Sequence, residues 1–137
     1  METSEIHSLN LLKAVMQEVI DRKAQFRMSC FIHSNTTKYW KDSTLEEHIT
    51  CGTIACARGW FLLKYPVSYD DHPLFGDSDV YNWLFNSIWE LIAPRPEDVL
   101  IRIDWLIQNG LDQLKQKAAL GTGWQVQLWQ QECITAV

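Results

Sequence analysis

Ten residues near the middle of the chain constrain its fold more than any other stretch: Cys51-Gly52-Thr53-Ile54-Ala55-Cys56-Ala57-Arg58-Gly59-Trp60. Small residues (Gly52, Ala55, Cys56, Ala57, Gly59) dominate it, and small side chains let a neighbouring backbone come close. The spacing predicts a helix over 53–65, with Ile54, Ala57, Phe61 and Leu62 on one side and Pro66 ending it. A thin-waisted helix of this kind belongs at the centre of a core, packed on several sides.

The flanking sequence supplies elements to pack around it. Leu9, Leu12, Val15, Met16, Val19 and Ile20 recur at three- and four-residue steps, the stripe of an amphipathic helix over 9–22, capped by Ser8 or Ser4. Phe26 to Ile32 reads as a short extended segment or a continuation after a turn. Residues 33–50 are polar and read as a long surface loop, with Tyr39 and Trp40 as its anchors. A second loop is expected over 66–77. A helix follows from Ser78 to Ile92, with Val80, Leu84, Ile88 and Leu91 inward. Pro96 opens the next, with Glu97 and Asp98 in its first turn, and Asn109-Gly110 closes it. A short helix is expected over 111–120. Trp124 to Trp129 alternates with period two, which suggests a strand or a docking segment. The fold class is therefore mainly α: a single domain over 1–137, of four to five helices, with a short extended segment or small hairpin.

A chain of 137 residues with seven Trp, five Phe and four Tyr has ample apolar area for a core. Its formal net charge of −5 and scattered basic residues argue against a nucleic-acid partner. The start, Met1 to Asn10, lacks a basic, apolar export signal, and no run reaches membrane-span length. A cytoplasmic protein with its four cysteines reduced is expected.

Chemistry is sparsely signalled. Cys51 and Cys56 stand five apart with His48 three residues before the first, but zinc sites want closer pairing and a second pair, so no metal is expected. Cys51 just ahead of the expected helix start would have its thiolate favoured by the dipole, and His48, His72 or His33 could act as base with Asp70 or Asp71 orienting it. Nothing in the spacing requires such a set. Glu46-Glu47, Asp70-Asp71 and Glu97-Asp98 read as solvated surface or helix starts, and no phosphate-binding loop or serine elbow is present. No catalytic residue and no cofactor is assigned. Tryptophan and tyrosine are favoured interface anchors. Tyr39 and Trp40 in the loop, and Trp124 and Trp129 in the tail, are expected to be exposed and are the binding candidates, together with Arg58.

The order of parts resembles that of a family of small phage and bacterial proteins, cyanobacterial ones among them. The shared parts are Phe26-Arg27-Met28, then Cys51 through Trp60, Leu84-Phe85 with Trp89, and Pro96-Glu97-Asp98-Val99 running to Gly110. The resemblance spans roughly residues 9–110 and implies no activity, substrate or cofactor. It implies packing roles for the motif: glycines for close approach, Thr53 as a cap, thiols as small fillers. Arg58 departs from the pattern, where a small or aliphatic residue is usual, and the 33–50 loop is long. An arginine on a buried face needs a carboxylate, so Arg58 either finds one or lines a pocket.

The expected function is a non-enzymatic interaction module, an accessory protein of the phage kind that binds a host or phage protein through an acidic, Trp-bearing surface. The alternatives are a cysteine-dependent hydrolase or transferase using Cys51 or Cys56, and a small metal-binding domain.

Overall fold

Amphipathic helices and one small sheet build the protein, seen in a computed structural model that describes residues 3–36, 39–65 and 73–134. The first helix, α1 (Thr3–Asp21), buries Leu9, Leu12, Val15, Met16 and Val19, the stripe expected. Strands β1 (Gln25–Phe26) and β2 (Ile32–His33) flank β3 (Ile54–Ala55) in the order β1-β3-β2. The β1–β3 pair is parallel, with Phe26 opposite Ala55, and β2–β3 is antiparallel, with Ile32 opposite the same residue. The fold is mainly α with a small sheet.

The decapeptide is not one helix. Its first half is a turn and the central strand, and helix α3 (Ala57–Lys64) begins only at Cys56, which caps it. Gly52 at φ +79° ends any helical path from Cys51, and the β-branched Thr53 and Ile54 suit extended backbone. Thr53 is therefore not the expected cap; Cys56 Sγ accepts the Gly59 N–H at 3.4 Å instead. The 33–50 segment likewise holds more structure than a loop: a 3₁₀ turn at Trp40–Asp42 and helix α2 (Leu45–Thr50). A reciprocal cap starts α2, in which Thr44 Oγ1 accepts from the Glu47 N–H at 3.1 Å and the Thr44 N–H donates to Glu47 Oε1 at 3.3 Å. Thr44→Ala should lower stability by about 1 kcal/mol, read as a lower urea midpoint with an unchanged slope.

After α3 come α4 (Pro73–Gly76), α5 (Ser78–Leu84) and α6 (Trp89–Ile92), so the 78–92 helix is broken in two and the 66–77 loop ends in a helical turn. The rest of that loop, residues 66–72, lies outside the described residues, and with it His72, Asp70 and Asp71. Helix α7 (Pro96–Ala118) starts at its proline as expected and is interrupted at Gly110, whose φ of +87° and ψ of 167° are not helical. The tail is helical, α8 (Trp124–Leu128) running into a π turn at Trp129–Cys133, and is not a strand.

Tryptophans knit these pieces together. Fully buried Trp83 meets Trp89 and Trp105 edge-on at 5.5 and 5.6 Å and stacks on Trp124 at 6.2 Å, while Trp89 meets Trp129 at 5.7 Å. Indole N–H groups find acceptors: Trp83 on the Arg102 carbonyl at 2.9 Å, Trp60 on the Gln25 carbonyl at 2.9 Å, Trp89 on the Asn82 carbonyl at 3.2 Å. Trp124 and Trp129 are thus core residues that dock the tail, which corrects the expectation that they stand exposed for a partner. An aromatic of this size is worth more inside than out when a hollow exists to take it.

Candidate functional site

The first turn of α3 forms one side of a cavity of about 240 Å³, bounded by Cys56 and Arg58 from the motif, Met28, Ser29 and Phe31 from the β1–β2 connection, and Tyr81, Phe85, Asn86 and Ser87 from α5 and the corner after it. The Arg58 guanidinium lies 4.7 Å from the centre of the Phe31 ring and 5.8 Å from that of Tyr81. Flat, weakly hydrated guanidinium groups favour such ring faces. Phe31 is itself half exposed, so the arginine sits at the mouth of the cavity and not in the core. Arg58 thus lines this cavity.

The walls are fixed by hydrogen bonds that the cavity does not use. The Met28 N–H donates to Glu90 Oε2 at 2.8 Å, and Glu90 Oε1 takes the Arg27 guanidinium at 3.2 Å, which pins the β1–β2 connection to α6. Asn86 Oδ1 accepts the Ile88 N–H at 2.9 Å and holds the α5–α6 corner. Just past that corner Ile88, Leu91 and Ile92 are exposed, Leu91 at 88%. Trp89 between them is fully buried. The four-residue helix therefore turns its one aromatic inward and leaves Leu91 and Ile92 outward, with Ile88 exposed at its N-cap.

The remaining candidates fall elsewhere. Tyr39 is 61% exposed. The Trp40 side chain lies outside what the structure describes. Cys56 is a buried capping thiol whose proton is held more tightly than usual, since burial raises its pKa against the opposing pull of the Gly59 and Arg58 amides. Cys51 is exposed and closes α2 at its C-terminal end, where it has no helix dipole to favour a thiolate. Its sulfur lies 3.5 Å from Thr53 Oγ1, which in turn lies 2.9 Å from Nδ1 of the buried His48. Among the described residues no three His, Cys, Asp or Glu side chains converge as a metal site requires.

One unusual residue escaped the sequence reading. Arg102 is fully buried in the apolar stripe of α7, three residues after Val99 and four before Leu106. Its guanidinium stands 4.2 Å from the Trp89 ring and 5.6 Å from that of Trp129, with only Nη1 hydrogen-bonded, to the Ala93 carbonyl at 3.3 Å. Nε and Nη2 have no hydrogen-bond partner among the described residues. Burial pushes its pKa down to about 9, opposed by the nearby Asp98. The signal was present: position 102 falls inside the i, i+3, i+4 pattern that marks the core face.

Comparison of the chain with protein-family models, with curated proteins and with solved structures finds no match.

Proposed function

We propose that the protein is an interaction module without catalytic activity of its own, which engages a protein partner through the Arg58 cavity and the aliphatic edge of α6. The observation that carries this reading is the placement of Arg58 against two aromatic rings at a small cavity whose lining ends at Ser87, next in sequence to the exposed Ile88. Arginine, aromatics and aliphatics grouped around a shallow hollow make the usual centre of a protein contact. The cavity, about 240 Å³, is smaller than the roughly 300–1,000 Å³ of pockets that hold whole organic ligands, and suits one or two side chains of a partner. The net charge of −5 favours a partner whose surface around the contact is basic. The family resemblance adds the setting: an accessory protein of the phage kind, acting in the cytoplasm on a host or defence protein. No described helix is long and apolar enough to cross a membrane.

The test is affinity capture from a bacterial lysate with the tagged full chain, repeated with Leu91→Asp and Arg58→Ala. A defined partner should be recovered by the wild type and depleted at least about tenfold by either substitution, as expected for loss of a contact worth more than about 1.4 kcal/mol. Leu91→Asp should melt like the wild type, because its side chain touches little. Equal recovery by all three proteins, or no partner above background, overturns the reading.

A further inference from the structure

The cavity beside Arg58 carries a charge pattern that narrows what can fill it. Among the described residues that line it, Arg58 is the one charged side chain; Ser29, Asn86 and Ser87 supply neutral polar groups, and Met28 and Phe85 apolar surface. Glu90, which ties the walls together, is not part of the lining, and both its oxygens are engaged, by the Met28 N–H at 2.8 Å and by Arg27 at 3.2 Å. Cys56 lines the cavity as the N-terminal cap of α3, so the positive end of that helix borders it. Burial holds the Cys56 thiol in its neutral form, and no negative charge develops there at neutral pH. The guanidinium meets the Phe31 and Tyr81 rings at 4.7 and 5.8 Å. Arginine stacks through its flat face, whereas its N–H donors lie in the plane and project from its edge. Stacking therefore orients the fork without drawing on its hydrogen bonds.

We propose that this cavity is a carboxylate receptor, and that the partner residue it takes is an acidic side chain, glutamate before aspartate. The proposal rests on the reading of the cavity as the centre of a protein contact and names the group that enters it. One guanidinium matches one carboxylate in charge and in its two-pronged geometry. A phosphate monoester carries up to two charges and is ordinarily met by a cluster of arginines. Here Arg27, beside Met28 in sequence, is paired with Glu90. The hydroxyls of Ser29 and Ser87 can each donate to an oxygen. The methylenes of a glutamate suit the Met28 and Phe85 surface better than the shorter aspartate does. The net charge of −5 works against an acidic partner surface as a whole. The acidic anchor is therefore one residue set among basic ones.

The test is a titration of the isotope-labelled full chain, followed by NMR, with glutamate capped at both ends and with its glutamine and phosphoserine counterparts. The glutamate derivative should shift the Arg58 side-chain N–H and the Ser29 and Ser87 amides saturably, with a dissociation constant of roughly 1–10 mM for so small a ligand. The glutamine derivative, equal in size but uncharged, should bind at least about tenfold more weakly. Arg58→Met should abolish the shifts, and Leu91→Asp, on the α6 edge, should leave them unchanged. If Arg58→Met does not fold, the glutamate-to-glutamine ratio in the wild type decides alone. Equal binding of glutamine, tighter binding of phosphoserine, no saturable shift, or shifts that persist in a folded Arg58→Met protein overturn the proposal. A lysate partner still depleted by Arg58→Ala alongside any of these results would leave the partner contact standing and remove only the carboxylate.

Discussion

Gly59→Ala is expected to cost more than about 3 kcal/mol, a large part of the 5–15 kcal/mol that holds an ordinary domain together. Helix propensity alone gives the opposite sign, since alanine is the better former by about 1 kcal/mol. Space reverses it. A Cβ on Gly59 would stand 1.9 Å from the Phe31 carbonyl oxygen and 2.9 Å from the Ala55 Cβ. The first of these is backbone and the second a side chain with no torsion to turn away, so relief requires α3 to move off the sheet. That movement would also open the cavity, because the Phe31 ring flanks Arg58. Urea titration of the purified variant measures the loss, and failure to fold counts as agreement. A Gly59→Ala protein as stable as wild type, or more so, would show that α3 and the β1–β2 connection are not in the contact described.

Arg102→Met should change stability in the other direction, raising it by about 1–3 kcal/mol at neutral pH. The guanidinium gains the Trp89 face and one carbonyl, but two of its nitrogens are buried without acceptors among the described residues. Asp98, the main negative charge acting on it, is already held by Arg95 at 3.0 Å. Methionine fills a comparable length of apolar space and keeps a favourable sulfur–aromatic contact. The pH dependence has a definite sign. With a folded pKa near 9, well below the ordinary guanidinium range, the folded chain binds fewer protons than the unfolded one from about pH 9 up to that range. The penalty is therefore complete below pH 9 and shrinks as pH rises through that window. The advantage of Arg102→Met should narrow between pH 7 and pH 10, in parallel urea titrations. A methionine variant less stable than wild type at pH 7 would mean that the arginine is stabilised by more than these contacts.

How far the sequence revealed this differs from element to element. Helix α1, the proline start of α7 and its break at Gly110 follow from local rules, apolar periodicity and the conformational habits of proline and glycine. The mainly α class follows with them. Helix α2 stayed hidden because its composition is polar, although Thr44 and Glu47 stand in the spacing of a reciprocal cap. The tail was misread because in a segment as short as Trp124 to Leu128 a period of two and a period of 3.6 place the same residues, 124 and 128, on one face. The burial of Trp124 and Trp129 is a tertiary fact: their hollow is made by Trp83 and Trp89, some forty residues earlier. In the decapeptide the close approach was legible, and the strand before the helix was not. Small residues say that something comes near, but not whether the near backbone is a helix or a sheet. Arg58 stood out as an arginine among the small residues of the decapeptide, whereas its ring partners Phe31 and Tyr81 are brought to it only by folding.

At the centre of this account, residues 54–64 are the strand and helix around which the rest is packed, with the sites at their edges. Amide hydrogen exchange, followed by mass spectrometry on the native chain, measures this directly. The amides of Trp60 to Leu63 should be among the slowest in the molecule, opening only with global unfolding and together with those of α1 and the first half of α7. Exchange of α3 as fast as that of α8, while α1 and α7 remain protected, would contradict it.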